Sequence, residues 1–315
     1  MAAVKVTDLA YVRLQVPDLD QMEEFLVHFG LSRSARTADT LYMRGTDAPH
    51  HVHIAHKGPN KFLGIGYHAG NEDDLRALSK APGAGGVETV DEPGGGKRVT
   101  LREPNGYAIE VLHGQHKLAP IPVEHDVPNS GPEPLRRAGK LMRLPPSPAP
   151  LKRIGHAVLA TPKVVETAKW FRETLGMTRS DDVYAGDKDH VIGSFNRLDR
   201  GEEYVDHHVL FCVHNERAGL NHVSYEVVDI DAVLKDHEYI KGLGKYEHMW
   251  GVGRHLLGSQ VYDYWCDPWG NVHERWADTD RLNIANGGQL ISAEEGFQSQ
   301  WGERPPERFI GHASP

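Results

Sequence analysis

The distribution of apolar and polar residues follows the same plan twice along the chain. Leu9–Leu31 and Ile154–Met177 both begin with an apolar run, continue through a proline into a helical pattern, and end near a glycine. In the second segment the apolar residues at helical spacing are Val164, Ala168, Phe171 and Leu175. A strand followed by an amphipathic helix is therefore predicted at both places.

Three further pairs of segments match between the two halves. They are His50–Val52 with His207–Val209, Leu63–Leu75 with Leu220–Val233, and Glu103–Glu110 with Asp267–Glu274. Self-similarity of this kind indicates one supersecondary unit used several times. The pattern predicts four strand–helix–strands units at 7–56, 62–113, 152–214 and 219–278, and thus an α+β fold of two similar halves.

The segment Gly253–Trp276 contains the features that bear most directly on function. Val261–Cys266 is aromatic and β-branched, which favours a strand, and Asp267–Asn271 contains the Pro and Gly of a turn. A second short strand then places Glu274 on the same face as two apolar neighbours. A carboxylate in such surroundings is costly unless it is paired or bound to a metal.

Composition changes between the two halves. Residues 115–150 are polar and rich in proline, which predicts an extended linker. We therefore expect an N-terminal domain at 1–114, this linker, a C-terminal domain at 151–280 and a tail at 281–315. The tail contains Gly and Pro and could wrap over the molecule as a lid.

The net charge of the chain bears on which kinds of molecule it can bind. Its 315 residues include 35 Lys and Arg against 44 Asp and Glu, a formal net charge of −9, which disfavours nucleic acid or a membrane surface. The chain starts without a signal-peptide pattern and has no apolar run of membrane-spanning length, so a cytoplasmic protein is expected. Its two cysteines, Cys212 and Cys266, offer no disulfide framework.

Alignment of the halves reveals a candidate metal site in the second half only. His156 and His222 lie on the first strands of the third and fourth units, and Glu274 lies on the last strand. The equivalents in the first half are Tyr11, Ile65 and Glu110. A lone histidine in a strand is more often a hydrogen-bonded core residue than a ligand, but packing alone would require the histidines in both halves. Two histidines and one carboxylate form the facial triad expected of non-haem Fe(II), with Mn(II) and Zn(II) as alternatives.

The same residues resemble those of the type I extradiol ring-cleaving dioxygenases, a family of the vicinal oxygen chelate superfamily. The resemblance covers nearly all of 5–278, and its most specific part is Gly253–His255, a tyrosine-bearing strand, and Asp267–Glu274. It implies a vicinal oxygen chelate fold of four βαβββ modules that form two open barrels. It also implies one active site, in the C-terminal barrel, and an N-terminal barrel without a metal.

The resemblance implies a role for six residues: the metal ligands would be His156, His222 and Glu274, and the catalytic residues His207, His255 and Tyr264. His207 corresponds to the acid–base histidine because it lies fifteen residues before His222. Many family members carry His-Asp where this chain has His207-His208. Tyr262 is the near alternative to Tyr264, but two-residue alternation and the count to Glu274 favour Tyr264.

The implied activity is extradiol cleavage of a substituted catechol or trihydroxybenzene by an Fe(II) enzyme, with Mn(II) as the alternative ion. Both atoms of O2 would enter the product. Family members that cleave homoprotocatechuate carry an arginine where this chain has Trp250. An alkyl-, nitro- or aryl-substituted catechol, a trihydroxytoluene or a dihydroxycumate is therefore expected instead. Candidate pocket walls, for each of which core packing is the alternative, are Trp250, Trp265, Trp269 and Phe211.

Two other functions compete with this interpretation. A metalloenzyme of the same superfamily that does not use O2, such as a lyase, isomerase or thiol transferase, would need the same metal ligands. A binding protein that has lost catalysis would not need the intact triad. The partners expected for the dioxygenase are a small aromatic diol and O2, and the resemblance suggests a homo-oligomer, a tetramer or larger.

Overall fold

The computed structural model describes residues 4–125 and 127–315. Its first half is built from short strands and two helices: β1 (Asp8–Val16), α1 (Leu19–His28), β2 (Ser32–Arg36), β3 (Thr40–Arg44), β4 (His53–Lys57), β5 (Lys61–His68), α2 (Glu72–Leu78), β6 (Glu88–Thr89), β7 (Lys97–Arg102) and β8 (Ala108–His113). Between His113 and Ile154 the described residues contain neither helix nor strand.

The second half repeats this order with longer elements: β9 (Ile154–Thr161), α3 (Val164–Leu175), β10 (Met177–Tyr184), β11 (Val191–Leu198), β12 (Val205–Asp206), β13 (Leu210–His214), β14 (Gly219–Glu226), α4 (Ile230–Leu243), β15 (His248–His255), β16 (Val261–Cys266) and β17 (Val272–Ala277). The tail adds β18 (Arg281–Leu282), β19 (Gln289–Ser292), α5 (Ala293–Gly296), β20 (Ser299–Trp301) and α6 (Glu307–Ile310).

The predicted repeat appears as the same strand order in two sheets. One sheet runs β2-β3-β4-β1-β5-β8-β7-β6, and the other runs β19-β10-β11-β13-β9-β14-β17-β16-β15-β20. In each sheet the first strand pairs in parallel with the last strand of its own unit and antiparallel with the first strand of the next unit. The larger sheet differs because the tail adds β19 and β20 to its two edges.

Helix α3 shows why the repeated sequence pattern folds as predicted. Its four predicted apolar positions, Val164, Ala168, Phe171 and Leu175, are all buried. The helix ends at Gly176, whose φ of +67° lies in the left-handed region that favours glycine. The buried face of the helix packs on the sheet, and one apolar cluster continues from the first half into the second.

Two further sequence expectations concern cysteine pairing and membranes. Cys212 and Cys266 are both buried and free. In the part of the chain that the structure describes, no helix has the length and apolar character needed to cross a membrane.

In the first half, a guanidinium group lies beside the carboxylate that corresponds to Glu274. This carboxylate, Glu110 on β8, accepts hydrogen bonds at Oε2 from the Tyr11 hydroxyl at 2.8 Å and from Arg13 Nη2 at 3.0 Å. Arg98 Nη1 lies 3.3 Å from the other oxygen. A buried carboxylate is stable in the core when cations and donors of the protein compensate its charge, as they do here.

Arg13→Met should lower the free energy of unfolding by about 3 kcal/mol, because it leaves Glu110 buried beside a long apolar side chain. Urea unfolding followed by circular dichroism measures this change. Arg76→Met is the matched control, since Arg76 pairs with Glu72 and Asp73 on an exposed helix surface, and we expect it to cost less than about 0.5 kcal/mol. Equal losses in the two variants would contradict a structural role for the buried pair.

Candidate metal centre and active site

Three neighbouring strands of the larger sheet bring His156, His222 and Glu274 together. They are β9, β14 and β17, which are adjacent in this order. The Nε2 atoms of His156 and His222 lie 2.9 Å and 3.5 Å from Oε2 of Glu274. One potential ligand atom from each side chain falls within 4.8 Å of the other two, and all three side chains are buried.

These atoms are close together, but their orientation does not form regular hydrogen bonds between them. Among the described residues, neither oxygen of Glu274 nor Nε2 of His222 has a hydrogen-bond partner. A buried carboxylate left in this way is costly, and buried polar atoms without partners are rare in folded proteins. Two imidazoles and a carboxylate that converge from one side can hold a divalent transition-metal ion and leave its remaining positions open. The residues therefore fit the metal that the sequence predicts.

The protonation states of the cluster suit metal binding. Burial would raise the pKa of Glu274, but the neighbouring imidazoles, His156 foremost, hold that pKa well below 4.5. Burial also lowers the pKa of His222 to about 4. Glu274 is therefore ionised and His222 neutral near pH 7, and these are the forms that bind a metal ion.

Asn221 sets the orientation of the His222 ring. Nδ1–H of His222 donates to Oδ1 of Asn221 at 2.7 Å, so Nε2 carries the lone pair that faces Glu274. The amide of Asn221 in turn donates to the carbonyl oxygens of Phe309 and His312 in the tail, at 3.2 and 3.0 Å. Hydrogen bonds of this kind fix the tautomer and direction of a metal-binding histidine. The tail therefore contributes to the position of one candidate ligand.

The predicted residues His255 and Tyr264 lie next to the three candidate ligands. His255 Nε2 is 2.9 Å from the Tyr264 hydroxyl and 3.8 Å from Oε1 of Glu274. Burial, with the charge of Glu274 as the second cause, raises the pKa of Tyr264 well above 10, so its hydroxyl stays protonated. Tyr262 stacks on His255, but its hydroxyl bonds to Ser299 at 2.6 Å. The structure thus favours Tyr264 over Tyr262.

In the pair His207-His208, the structure places the second histidine, not the first, beside the candidate ligands. His207 points away from the candidate ligands and its Nε2 bonds to Oδ2 of Asp181 at 2.8 Å. It is His208 that lines the central cavity, with its ring centroid 4.2 Å from that of His156. Successive side chains of an extended segment point to opposite sides. The prediction that His207 lies beside the candidate ligands is therefore wrong, and the position belongs to His208.

The hydrogen bonds of this pair determine where the proton of His208 resides. An ionised carboxylate can only accept, so Nε2 of His207 donates to Asp181, and when the ring is neutral its Nδ1 carries a lone pair. His208 donates its Nδ1–H to that lone pair at 3.0 Å, which leaves its own Nε2 unprotonated. Burial holds the pKa of His208 well below its usual 6.5. The side chain at the cavity is therefore a neutral imidazole whose basic nitrogen is not used by the protein pair.

Comparison with known proteins identifies the family. The model of the Glyoxalase/Bleomycin resistance protein/Dioxygenase superfamily matches residues 8–111. The chain is 30% identical to Metapyrocatechase 2 of Cupriavidus necator, over 97% of this chain and 92% of that protein. The chain belongs to the type I extradiol dioxygenases. This dioxygenase is also 22% identical to the manganese-dependent 2,3-dihydroxybiphenyl 1,2-dioxygenase of Geobacillus genomosp. 3, over 95% of this chain and 91% of that protein.

Solved structures agree with this assignment at the level of the fold. The Mn(II)-bound glyoxalase from Novosphingobium aromaticivorans aligns with a TM-score of 0.79 at 23% identity, over 99% of this chain and 96% of that one. The homoprotocatechuate 2,3-dioxygenase of Brevibacterium fuscum, in its substrate complex, aligns with a TM-score of 0.81 at 18% identity, over 99% and 94%. The dioxygenase therefore has the vicinal oxygen chelate fold.

Two of the candidate ligands of the dioxygenase, His156 and His222, line a cavity of about 270 Å³. Apolar side chains form most of its wall: Val158, Ile192, Phe195, Phe211, Val213, Trp250, Leu257, Phe297, Pro305, Phe309 and Ile310. Phe211 and Trp250 were predicted there, and the structure places them there. Phe297, Pro305, Phe309 and Ile310 come from the tail, which closes one side of the cavity.

Trp265 is not part of the cavity wall, so that prediction is wrong. Its neighbour Tyr264 faces the cavity, and alternation along β16 turns Trp265 to the opposite face of the sheet. There its Nε1–H donates to Oδ2 of Asp263 at 2.6 Å. Trp269 is partly buried and packs against the main hydrophobic core.

Sequence reasoning missed Asp181 and Asn221, which orient site histidines, and also Gln260. Gln260 lines the cavity with only 1% of its surface exposed, and neither atom of its amide has a hydrogen-bond partner among the described residues. A polar group of a ligand or a water molecule can satisfy it. Asn221 could have been noticed because it directly precedes a candidate ligand, whereas nothing in the sequence separates Asp181 or Gln260 from other polar residues.

Proposed function

We propose that this chain is an Fe(II)-dependent dioxygenase that opens the ring of a substituted catechol and inserts both atoms of O2. One observation carries the proposal. A buried cluster of two histidines and one carboxylate lies beside a cavity, and its two histidines line that cavity together with His208, His255 and Tyr264. When bound, the ion would supply a Lewis-acidic and redox-active centre with positions open to substrate and O2.

His208 has the geometry of a general base toward the substrate. Its Nε2 lone pair is available to a catechol hydroxyl, and an imidazole can take up that proton and later return it. His207 and Asp181 hold the ring in this tautomer and place a carboxylate at the far end of the chain of hydrogen bonds. His208 thereby takes the acid–base role for which the sequence suggested His207.

His255 and Tyr264 form a hydrogen-bonded pair on the other side of the cavity. When Nε2–H of His255 donates to the tyrosine oxygen, the Tyr264 O–H is free to donate to a substrate oxygen. The tyrosine hydroxyl is protonated and held 2.9 Å from the imidazole nitrogen of His255, so both groups are fixed before substrate enters. Fixed donors in a site with little water stabilise negative charge that develops on substrate oxygens. The aromatic side chains of the tail restrict the access of water to this side of the cavity.

The cavity wall favours an alkyl- or aryl-substituted catechol over homoprotocatechuate. Trp250 stands where an arginine would be expected for a carboxylate substituent, and its indole N–H is already used by the carbonyl oxygen of Glu303 at 2.9 Å. The surrounding wall is apolar, and burying an apolar ring substituent there is favourable. Gln260 offers one polar contact, which would suit the additional hydroxyl of a trihydroxybenzene.

The test is O2 consumption by anaerobically purified protein supplied with Fe(II), or with Mn(II) in parallel. 3-Methylcatechol, 2,3-dihydroxybiphenyl and 3,4-dihydroxyphenylacetate should be compared with an oxygen electrode and by absorbance of the ring-opened product. Mass spectrometry after reaction with ¹⁸O₂ should show both labelled atoms in the product. No O2 uptake with any catechol or trihydroxybenzene and either ion would contradict the proposal and favour a metalloenzyme that does not use O2.

Asp181→Asn should lower turnover by at least about a hundredfold while iron content stays unchanged. The backbone N–H of Gln289 donates to Oδ1 of Asp181 at 2.9 Å, so the new amide must turn its NH2 group toward His207. That reverses the donors along the pair and puts the proton of His208 on Nε2, the wrong tautomer for a base. Steady-state kinetics with iron analysis checks the prediction.

Asp182→Asn is the matched control for this variant. Asp182 lies on the same strand, but its carboxylate bonds to Ser194 and Arg172 and does not contact the histidine pair. We expect turnover within about threefold of the unmodified enzyme, because Asp182 is buried among Ser194, Arg172 and Arg179 and its loss acts on stability rather than on the histidine pair. If both variants lost activity equally, strand β10 rather than the tautomer of His208 would be responsible.

A further inference from the structure

A second cluster of candidate ligands lies on the opposite face of the sheet from the active site. It consists of His237 on α4, His248 on β15 and Asp263 on β16, and one potential ligand atom from each lies within 4.8 Å of the others. Neither the family resemblance nor the dioxygenase mechanism uses these residues. We propose that they form a second metal site for an imidazole-preferring divalent ion such as Zn(II).

The separations within the cluster suit a bound ion. His237 Nδ1 is 3.0 Å and His248 Nε2 is 2.9 Å from Oδ1 of Asp263. Ligand atoms at about 2.1 Å from a tetrahedral zinc ion lie about 3.4 Å apart, so a movement of about 0.5 Å would admit the ion. The corresponding distance in the first cluster, from His156 Nε2 to Glu274 Oε2, is also 2.9 Å. Two imidazoles and a carboxylate are the ligand types that zinc binds in proteins.

The carboxylate is held so that one oxygen faces the two histidines. Trp265 donates to the other oxygen, Oδ2, at 2.6 Å, and Arg275 Nε lies 3.9 Å from the same atom. Outer hydrogen bonds of this kind fix ligands and raise metal affinity. Arg275 pairs mainly with Asp236, on the side away from the two histidines, and its charge also keeps Asp263 ionised.

An ion can reach the cluster from solvent. The histidines border a cleft of about 480 Å³ that lies between α4, β15 and the tail, and the side chains of His237 and His248 are 15% and 32% exposed. A neutral imidazole can carry its proton on either nitrogen, so Nδ1 of His237 and Nε2 of His248 can become ligands by a change of tautomer. Water from the cleft would complete the coordination.

The position of the site connects it to the wall of the active site. An ion there would link α4 to the two strands that carry Trp250, His255 and Tyr264. Across the same cleft, the tail contacts β15 where Arg308 donates to the carbonyl oxygen of His248 at 2.6 Å. The ion would therefore stabilise the part of the fold that supports the tail side of the cavity.

The test measures the equivalents of zinc bound per chain. Metals are first removed with a chelator, and the protein is then dialysed against Zn(II). The expected result is two equivalents for the unmodified chain and one for His237→Ala, for His248→Ala and for Glu274→Gln. His190→Ala, which removes an exposed histidine of a turn, is the matched control and should retain two. An equal number of equivalents in the unmodified chain and in His248→Ala would overturn the proposal.

A second measurement covers the case in which the alanine variants do not fold. Glu274→Gln protein is treated with diethyl pyrocarbonate with and without Zn(II), and modified histidines are identified by mass spectrometry. Zinc should protect His237 and His248 at least tenfold relative to His190. Equal modification with and without zinc would show that the cluster is only hydrogen-bonded. Neither readout depends on dioxygenase activity, so the second site can fail or succeed independently of the proposed function.

Discussion

Glu274→Gln should abolish iron binding and lower turnover by at least about a thousandfold. The substitution keeps the size of the side chain but removes the only carboxylate of the candidate metal centre, and with it the charge that balances the ion. Loss of a metal that lowers the barrier by about 4 kcal/mol corresponds to a thousandfold in rate. Iron analysis after anaerobic reconstitution, together with oxygen-electrode kinetics, measures both effects.

The stability of the same variant gives an independent prediction. The carboxylate of Glu274 is fully buried and has no hydrogen-bond partner among the described residues. Replacing it by a neutral amide should leave the metal-free protein at least as stable as the metal-free unmodified protein. The unmodified protein should gain thermal stability when Fe(II) is added, whereas the variant should not.

Glu110→Gln is the matched control, because Glu110 holds the same position in the first half of the chain. It should retain full iron content and activity per folded molecule, but it should be destabilised because Arg13 and Arg98 lose their buried partner. If Glu110→Gln lost iron, or Glu274→Gln kept it, the metal centre would not be where we propose.

The repeat and the candidate ligands could be predicted because they depend on local pattern. A strand with alternating apolar residues, followed by a helix that ends at Gly176, specifies the same unit wherever it occurs. Comparison of the two copies then isolates polar residues that packing does not require. This comparison located His156, His222 and Glu274, which the structure brings to one place.

The choice between His207 and His208 could not be made in the same way. The pair lies just before β13, where the chain leaves regular pairing, so the count of residues to His222 does not fix which side chain faces the cavity. A shift of one residue exchanges the two. The partner that settles the orientation, Asp181, lies on another strand and gives no sequence signal.

The orientation of Trp265, in contrast, follows from strand alternation alone. If Tyr264 faces the cavity, its neighbour in a strand must face away, and the structure places Trp265 on the other side beside Asp263. The second cluster of candidate ligands has a different reason for being missed. Its histidines and aspartate come from a helix and two strands, and only the packing of α4 on the sheet brings them together.

His208→Phe should retain iron but lose turnover by about a thousandfold, because it removes the imidazole that we propose as the base while keeping a ring of similar size. General acid–base groups contribute about 10² to 10⁴ in rate. His207→Phe should lose less, about ten- to a hundredfold, because His208 then keeps its place but loses the acceptor that sets its tautomer. Steady-state kinetics at equal iron content separates the two variants.

The comparison is decisive because the two residues are adjacent and chemically identical. General destabilisation of this segment would affect both variants alike, and urea unfolding should be measured to exclude it. A larger loss for His207→Phe than for His208→Phe, at equal iron content and stability, would return the acid–base role to His207. It would also require the Asp181–His207 hydrogen bond to break during turnover, since Nε2 of His207 is committed to that carboxylate at 2.8 Å. The side chain at the cavity, His208, needs no such rearrangement, and for this reason we expect the larger loss there.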